Sequence, residues 1–157
     1  MSRSIDSQDI LNEIRHLVEA LRGAARETER SFGISGAQLY VMEKLSYETG
    51  LSMNELAART FTHQSSASVV VTRLEEKLLV ERRRSKVDGR RLEIYLTEKG
   101  KRLLGRAPTP IQNRLLDAID GISVPERGCL AKGLKALNSK AGIGGKSPPF
   151  LFEERKK

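Results

Sequence analysis

Apolar residues recur at helical spacing from the start of the chain. Ile10, Leu11, Ile14, Leu17, Val18 and Leu21 form one stripe, with polar residues filling the opposite face. This predicts an amphipathic helix from about Asp6 to Arg30, ended by Phe32-Gly33. Ser35-Gly36-Ala37-Gln38 then has the S-x-x-Q form of a capping box, where the two side chains satisfy each other's free backbone N–H groups. It opens a second helix through about Tyr47, and Glu48-Thr49-Gly50 turns the chain. Ser52-Met53-Asn54-Glu55 repeats the device and opens a short third helix, Met53–Arg59. Thr60-Phe61-Thr62 is a tight link. Ala67, Val70, Val71, Leu74 and Leu78 then stand at core spacing and predict a fourth helix, about His63–Leu78.

Past that helix the period changes to two. Leu92, Ile94 and Leu96 alternate with Arg91, Glu93 and Tyr95, which predicts a strand with one buried face. Val87-Asp88-Gly89-Arg90 makes the turn that joins it to an earlier strand. Thr97 suits the N-cap of a helix beginning Glu98-Lys99-Gly100-Lys101, which Pro108 and Pro110 interrupt or restart. Ile111, Leu115, Leu116, Ile119 and Ile122 continue an apolar stripe. Val124-Pro125-Glu126-Arg127 opens a last helix carrying Leu130, Leu134 and Leu137. Glycines and prolines follow, so residues 141–157 read as a flexible tail. Its Phe150-Leu151-Phe152 either stays disordered or docks on a groove of the same or a partner subunit.

Composition narrows the class. A length of 157 residues suits one domain with a real core, and only 4% of residues are aromatic, which favours a helical core of Leu, Val, Ile and Ala. The first ten residues hold no apolar segment of the secretory type, and the longest apolar run, Leu39-Tyr40-Val41-Met42, cannot span a bilayer. A single cysteine, Cys129, forms no internal disulfide and suits a reducing cytoplasm; it reads as a small buried side chain. His16, His63 and Cys129 are too few for a zinc site, so no metal or cofactor is expected. No nucleophile–base pair, paired carboxylates or phosphate loop stands out, so the chain does not read as an enzyme.

Charge changes the picture most. The chain carries a net +8, and residues 82–106 hold ten Lys/Arg against three acids, or +7. A basic hairpin behind a pair of short helices is the layout of a winged helix-turn-helix gripping duplex DNA. The fourth helix would then read bases opposite its core stripe. Gln64, Ser65, Ser68, Val69 and Thr72 lie there with Ser66 beside them. Gln suits adenine, Ser and Thr suit bases or phosphates, and Val69 suits a thymine methyl. Arg82, Arg83, Arg84, Lys86 and Arg91 would contact phosphates.

In this order of elements the chain resembles the MarR family of bacterial winged helix-turn-helix transcription regulators. The match rests on Ser52-Met53-Asn54-Glu55-Leu56-Ala57, on Arg73-Leu74-Glu75-Glu76-Lys77 and on Leu79-Val80-Glu81-Arg82. Most specific is Asp88-Gly89-Arg90, followed by Leu92 and by Leu96-Thr97-Glu98-Lys99-Gly100. The resemblance implies a mainly α fold with a small β-hairpin wing, flanked by N- and C-terminal dimerisation helices. It divides a single domain, 1–140, into dimerisation helices at 6–30 and 98–138 and a DNA-binding region at 35–97. It also implies that Asp88 holds Arg90 for entry into the minor groove, and it adds Arg73 to the DNA-contacting set. The implied function is a cytoplasmic, homodimeric, sequence-specific repressor answering to a small-molecule effector. The alternatives are a non-specific architectural DNA-binding protein and a winged helix used for protein interaction. Phe32, Tyr40, Tyr47 and Phe61 either line an effector pocket or belong to the core. Two departures stand out: Leu78 replaces the usual glycine after the recognition helix, and Val69 and Thr72 replace the family's frequent Arg and Asp.

Overall fold

The structure, a computed structural model, describes residues 6–143, 150 and 151. Its elements are α1 (Ser7–Phe32), α2 (Gly36–Tyr47), α3 (Met53–Arg59), α4 (Gln64–Glu76), β1 (Val80–Arg84), β2 (Leu92–Leu96), α5 (Glu98–Leu104), α6 (Ile111–Gly121) and α7 (Val124–Lys140). This mainly helical chain with one two-stranded hairpin has the expected architecture. Capping chemistry sets most of the boundaries. Ser35 with Gln38, Ser52 with Glu55 and Ser123 with Glu126 each form the reciprocal capping box. Thr97 caps α5 by accepting from the Gly100 N–H at 3.0 Å, and Gly33 ends α1 in the left-handed region at φ +64°.

α4 is shorter than the periodicity suggests. His63 stands at its N-cap without a side-chain cap bond, and the helix stops at Glu76. Leu78 then takes φ +58°, the conformation a glycine would ordinarily supply, while Leu79 N–H donates to the Leu74 carbonyl at 2.9 Å. The left-handed turn is kept despite the missing glycine, at a backbone cost of about 1–2 kcal/mol.

α2 lies at the centre, buried at Ala37, Leu39, Tyr40, Val41, Met42 and Leu45. Leu56, Ala67, Val70, Val71 and Leu74 from α3 and α4 close on it, with Leu79, Val80, Ile94 and Leu96 from the hairpin. Burying each such Leu or Val stabilises the fold by roughly 1.5–3 kcal/mol. The strands are antiparallel, from Val80 opposite Leu96 to Arg84 opposite Leu92, and Leu51 adds a one-residue bridge to Ile94. Leu92 departs from the alternating expectation. It stands beyond the Leu51 bridge, at the strand end next to the turn, and is exposed.

α5 passes so close to the start of the hairpin that Gly100 is packed against the Leu79 carbonyl. A β-carbon there would overlap that oxygen. The same carbonyl accepts from Thr97 N–H at 3.1 Å. Gly100 is therefore the point where the arm formed by α5 to α7 joins the hairpin.

Three features concern the rest of the chain. Phe150 is buried in this chain's own core cluster; most of the predicted tail, residues 144–149 and 152–157, lies outside the described residues. Cys129 is exposed on α7 rather than buried. No described helix is long and apolar enough to cross a membrane.

Candidate nucleic-acid interface

The reading helix presents two distinct faces. Ala67, Val70, Val71 and Leu74 are buried, whereas Gln64, Ser65, Val69 and Thr72 are exposed and Ser66, Ser68 and Arg73 are half-buried. The period of 3.6 residues explains the split, since the exposed set falls between the core positions. One end of the exposed face therefore offers an amide and a hydroxyl, from Gln64 and Ser65, and its middle offers an exposed Val69.

The hairpin behind it is tied to the rest of the lobe at several points. Arg82 Nη1 pairs with Glu75 of α4 at 2.9 Å, and Nη2 donates to Thr72 Oγ1 at 3.4 Å. Arg91 Nη2 donates to Glu55 at 2.6 Å and to the Gly50 carbonyl at 3.4 Å, and its Nε faces Glu93 at 3.5 Å. Arg83 pairs with Glu81, and its guanidinium sits 5.1 Å from the centre of the Tyr95 ring. Three of the arginines read from the sequence as phosphate contacts thus have carboxylate partners on this chain. Arg82 joins the wing to the reading helix, and Arg91 joins it to the start of α3.

The carboxylates respond accordingly. The Ser52 N–H, then its hydroxyl, and finally Arg91 hold Glu55 below the usual carboxylate range. Hydrogen bonds from Tyr95, then Ser85, do the same for Glu93, and the bond it donates to Glu93 raises the Tyr95 phenol. Arg59 closes a fork on Glu48, with Nε and Nη2 at 2.6 and 2.8 Å, and this lowers Glu48.

The turn of the wing is built by backbone N–H groups donating to backbone and side-chain acceptors. Ser85 N–H donates to the Arg91 carbonyl at 2.8 Å, and Arg91 N–H to the Asp88 carbonyl at 2.9 Å. The buried Ser85 hydroxyl accepts from Val87 N–H at 3.3 Å. Asp88 Oδ1 accepts from the backbone N–H of Arg90 at 3.0 Å. The resemblance implied that Asp88 would orient the Arg90 side chain; here it shapes the backbone that carries it. Arg84, Lys86 and Arg90 remain exposed at the tip beside Val87, which is 98% exposed. Among the described residues none of these three cations has a carboxylate within ion-pair distance, and Arg84 reaches only the Gly89 carbonyl at 3.5 Å. On the wing itself, residues 80–96, the unneutralised charge is therefore concentrated in these three side chains, since Arg82, Arg83 and Arg91 all have carboxylate partners.

Other candidates separate. Tyr40 is core and Phe32 packs against it, whereas Tyr47 and Phe61 are exposed, so the four aromatics do not assemble into one pocket. Among the described residues no His, Cys, Asp and Glu cluster could hold a metal ion.

A family model described as MarR family matches residues 32–91, the span from the end of α1 through the first strand and the turn of the wing. A putative transcriptional regulatory protein for the hcr operon of Thauera aromatica is 31% identical over 123 residues, covering 78% of this chain and 74% of that relative. The chain belongs to the MarR family. Solved structures agree on the fold of this MarR-family protein. The transcriptional regulator BldR from Sulfolobus solfataricus superposes with a TM-score of 0.52 at 26% identity, covering 87% of this chain and 99% of BldR. The Staphylococcus aureus MepR–DNA complex gives a TM-score of 0.58 at 22% identity, covering 88% of this chain and 99% of MepR. Membership makes the protein a transcription regulator. The apolar stripe of α1 and the wing, read first from spacing and charge, are thereby placed in a known architecture.

Proposed function

We propose that this regulator is a homodimeric repressor that binds a specific duplex DNA site and does so as a binding protein, not an enzyme. The observation that carries the reading is the side-chain tie between two features of one lobe. The exposed face of α4 and the unpaired tip cations Arg84, Lys86 and Arg90 are locked together by the Arg82–Glu75 ion pair. A single rigid unit can then place α4 in the major groove and the wing tip on the flanking backbone. Gln64, Ser65, Ser66, Ser68, Val69 and Thr72 would meet base edges or adjacent phosphates, with Arg73 behind them. Arg84, Lys86 and Arg90 would meet phosphates and the minor groove. Arg82 and Arg91 act as struts, and Asp88 as the turn former.

Dimerisation follows from what one chain leaves bare. Ile10, Leu11 and Leu17 of α1, Leu116 and Ile119 of α6, and Leu130, Leu134 and Leu137 of α7 are all exposed. These helices come from the two segments, 6–30 and 98–138, that flank the DNA-binding region 35–97. A second copy laid on them would bury the stripes and set two α4 helices about one helical turn of DNA apart, roughly 34 Å. MepR, which shares this fold, has been solved bound to DNA. A small-molecule effector would act by changing the spacing of the two reading helices, and work on DNA places the protein in the cytoplasm.

Selection from a pool of random duplexes, with sedimentation of the free protein, tests the reading. A dimer that enriches one related set of sequences is expected. Equal affinity for all duplexes would favour an architectural role, and no binding to any would leave the protein-interaction alternative.

A further inference from the structure

The link between α3 and α4 holds a residue that neither the core nor the caps account for. Phe61 takes φ +53° and is 78% exposed. Its backbone is fixed from both sides. Phe61 N–H donates to the Ala58 carbonyl at 3.2 Å and Thr62 N–H to the Ala57 carbonyl at 3.0 Å. The buried Thr60 hydroxyl donates to the Leu56 carbonyl at 2.7 Å and lies 3.1 Å from the Thr62 hydroxyl. The turn thus requires a left-handed residue, a position that glycine or asparagine fills with little strain. Phenylalanine there is unfavourable twice over, in its backbone and in an apolar ring left in water. Folding alone gives no reason for it.

Its position gives one. Phe61 stands three residues before Gln64, at the N-terminal end of α4, the end a helix-turn-helix directs at base edges. The turn's hydrogen bonds fix the backbone there, and the ring is exposed, as are Gln64 and Ser65 three and four residues on. A rigidly held ring at the mouth of a groove suits an apolar surface, and the apolar features of a duplex edge are the thymine C5-methyl and the deoxyribose face. We infer that Phe61 is a DNA-contacting, specificity-determining residue, packing its ring on the apolar edge of the duplex where α4 enters the major groove. The inference rests on the DNA-binding reading above.

The chain carries its own control. Leu78 is also left-handed, at φ +58°, and 68% exposed, but it follows the other end of α4. Thirteen helical residues put the two sites about 20 Å apart. The same relief of strain can therefore be introduced near the proposed contact or far from it.

The probe is the duplex most enriched by the parent protein from a random pool, together with a copy in which deoxyuridine replaces every thymidine. Phe61→Gly is expected to raise the melting temperature by about 2–4 °C and to weaken binding to the selected duplex by at least about fivefold. Phe61→Asn, which tolerates the left-handed turn and lacks the ring, should lose affinity to the same extent. Leu78→Gly should gain stability and keep the parent's affinity. On the deoxyuridine duplex a smaller loss for Phe61→Gly than for the parent assigns the contact to a thymine methyl; equal losses assign it to deoxyribose. If the parent enriches a duplex and both Phe61 variants bind it as tightly as the parent, the contact does not exist. If the parent enriches no duplex, the DNA-binding reading fails and this contact with it.

Discussion

Replacing Gly100 with Ala tests how the dimer arm is joined to the reading lobe. The new methyl would be driven into the Leu79 carbonyl oxygen, a backbone atom with no rotamer to escape into. Ordinary C···O contacts lie at about 3.3–3.6 Å, so α5 would have to retreat by about an ångström. Overpacking of this kind costs about 1–3 kcal/mol. The retreat also stretches the Thr97 N–H bond to the same carbonyl, worth about 1 kcal/mol. Together they give about 2–4 kcal/mol, partly offset because alanine restricts the unfolded chain by about 0.4–1 kcal/mol. At about 2–4 °C per kcal/mol for a chain of this size, the midpoint should fall by roughly 2–14 °C. Circular dichroism melts at matched protein concentration would read it, since a dimer's midpoint moves with concentration. Gly105→Ala is the control. Its β-carbon would meet the Lys101 carbonyl at an ordinary 3.5 Å, so its midpoint should hold or rise slightly. A Gly100→Ala midpoint within a degree of the parent would show that α5 can slide freely over Leu79 and that the joint is not steric.

Other expectations follow from the wing and its acids. Arg90→Ala should leave the melting temperature unchanged and cut affinity for the selected duplex at least tenfold, about 1.4 kcal/mol; an unchanged affinity would remove the tip from the interface. Arg91→Ala should do the reverse, losing at most about 1 kcal/mol of stability with its half-exposed pairs and little affinity, so a large affinity loss without destabilisation would return it to the phosphate-contacting set. The slope of log affinity against log salt should lie near −5, from about three tip cations on each of two subunits; a slope of −10 or steeper would mean that the paired arginines release counterions too. Glu48, Glu55 and Glu93 are held below their ordinary value of 4.5 in the folded chain. Their contribution is therefore complete above pH 4.5 and lost as the pH falls through the folded values. Melting temperature should stay level from pH 7 to about 5 and decline below 4.5, and a decline beginning above pH 6 would implicate other groups.

How much of this was legible in the chain depends on the range of the interaction. Capping boxes are local, so Ser52 and Glu55 fixed Met53–Arg59 to the residue. The end of α4 misled because its apolar period runs on to Leu78, and only the three-dimensional turn shows that leucine accepting a glycine's conformation. The charge concentration in residues 82–106 was plain, but its internal neutralisation was not. Glu55 is thirty-six residues from Arg91, a separation at which sequence spacing says nothing about pairing. Phe61 reads by residue type as core or as the lining of an effector pocket, whereas the structure leaves it exposed in a three-residue link held by its own hydrogen bonds. Phe150 stands out in a polar tail, and the sequence leaves open disorder, a groove of this chain or a groove of a partner; the structure lodges it in this chain's own core.

The strained turn after α4 has a meaning for how this chain can change. A typical substitution destabilises a protein by about 1 kcal/mol, and altering the reading face for a new site will often do so. Leu78 lies two residues past the end of α4, and Leu78→Gly would release about as much free energy as such a change costs. The protein therefore holds an unused reserve of stability, reachable by a single residue that touches no base. A lineage bearing this leucine could accept a costly change in readout first and restore its fold afterwards.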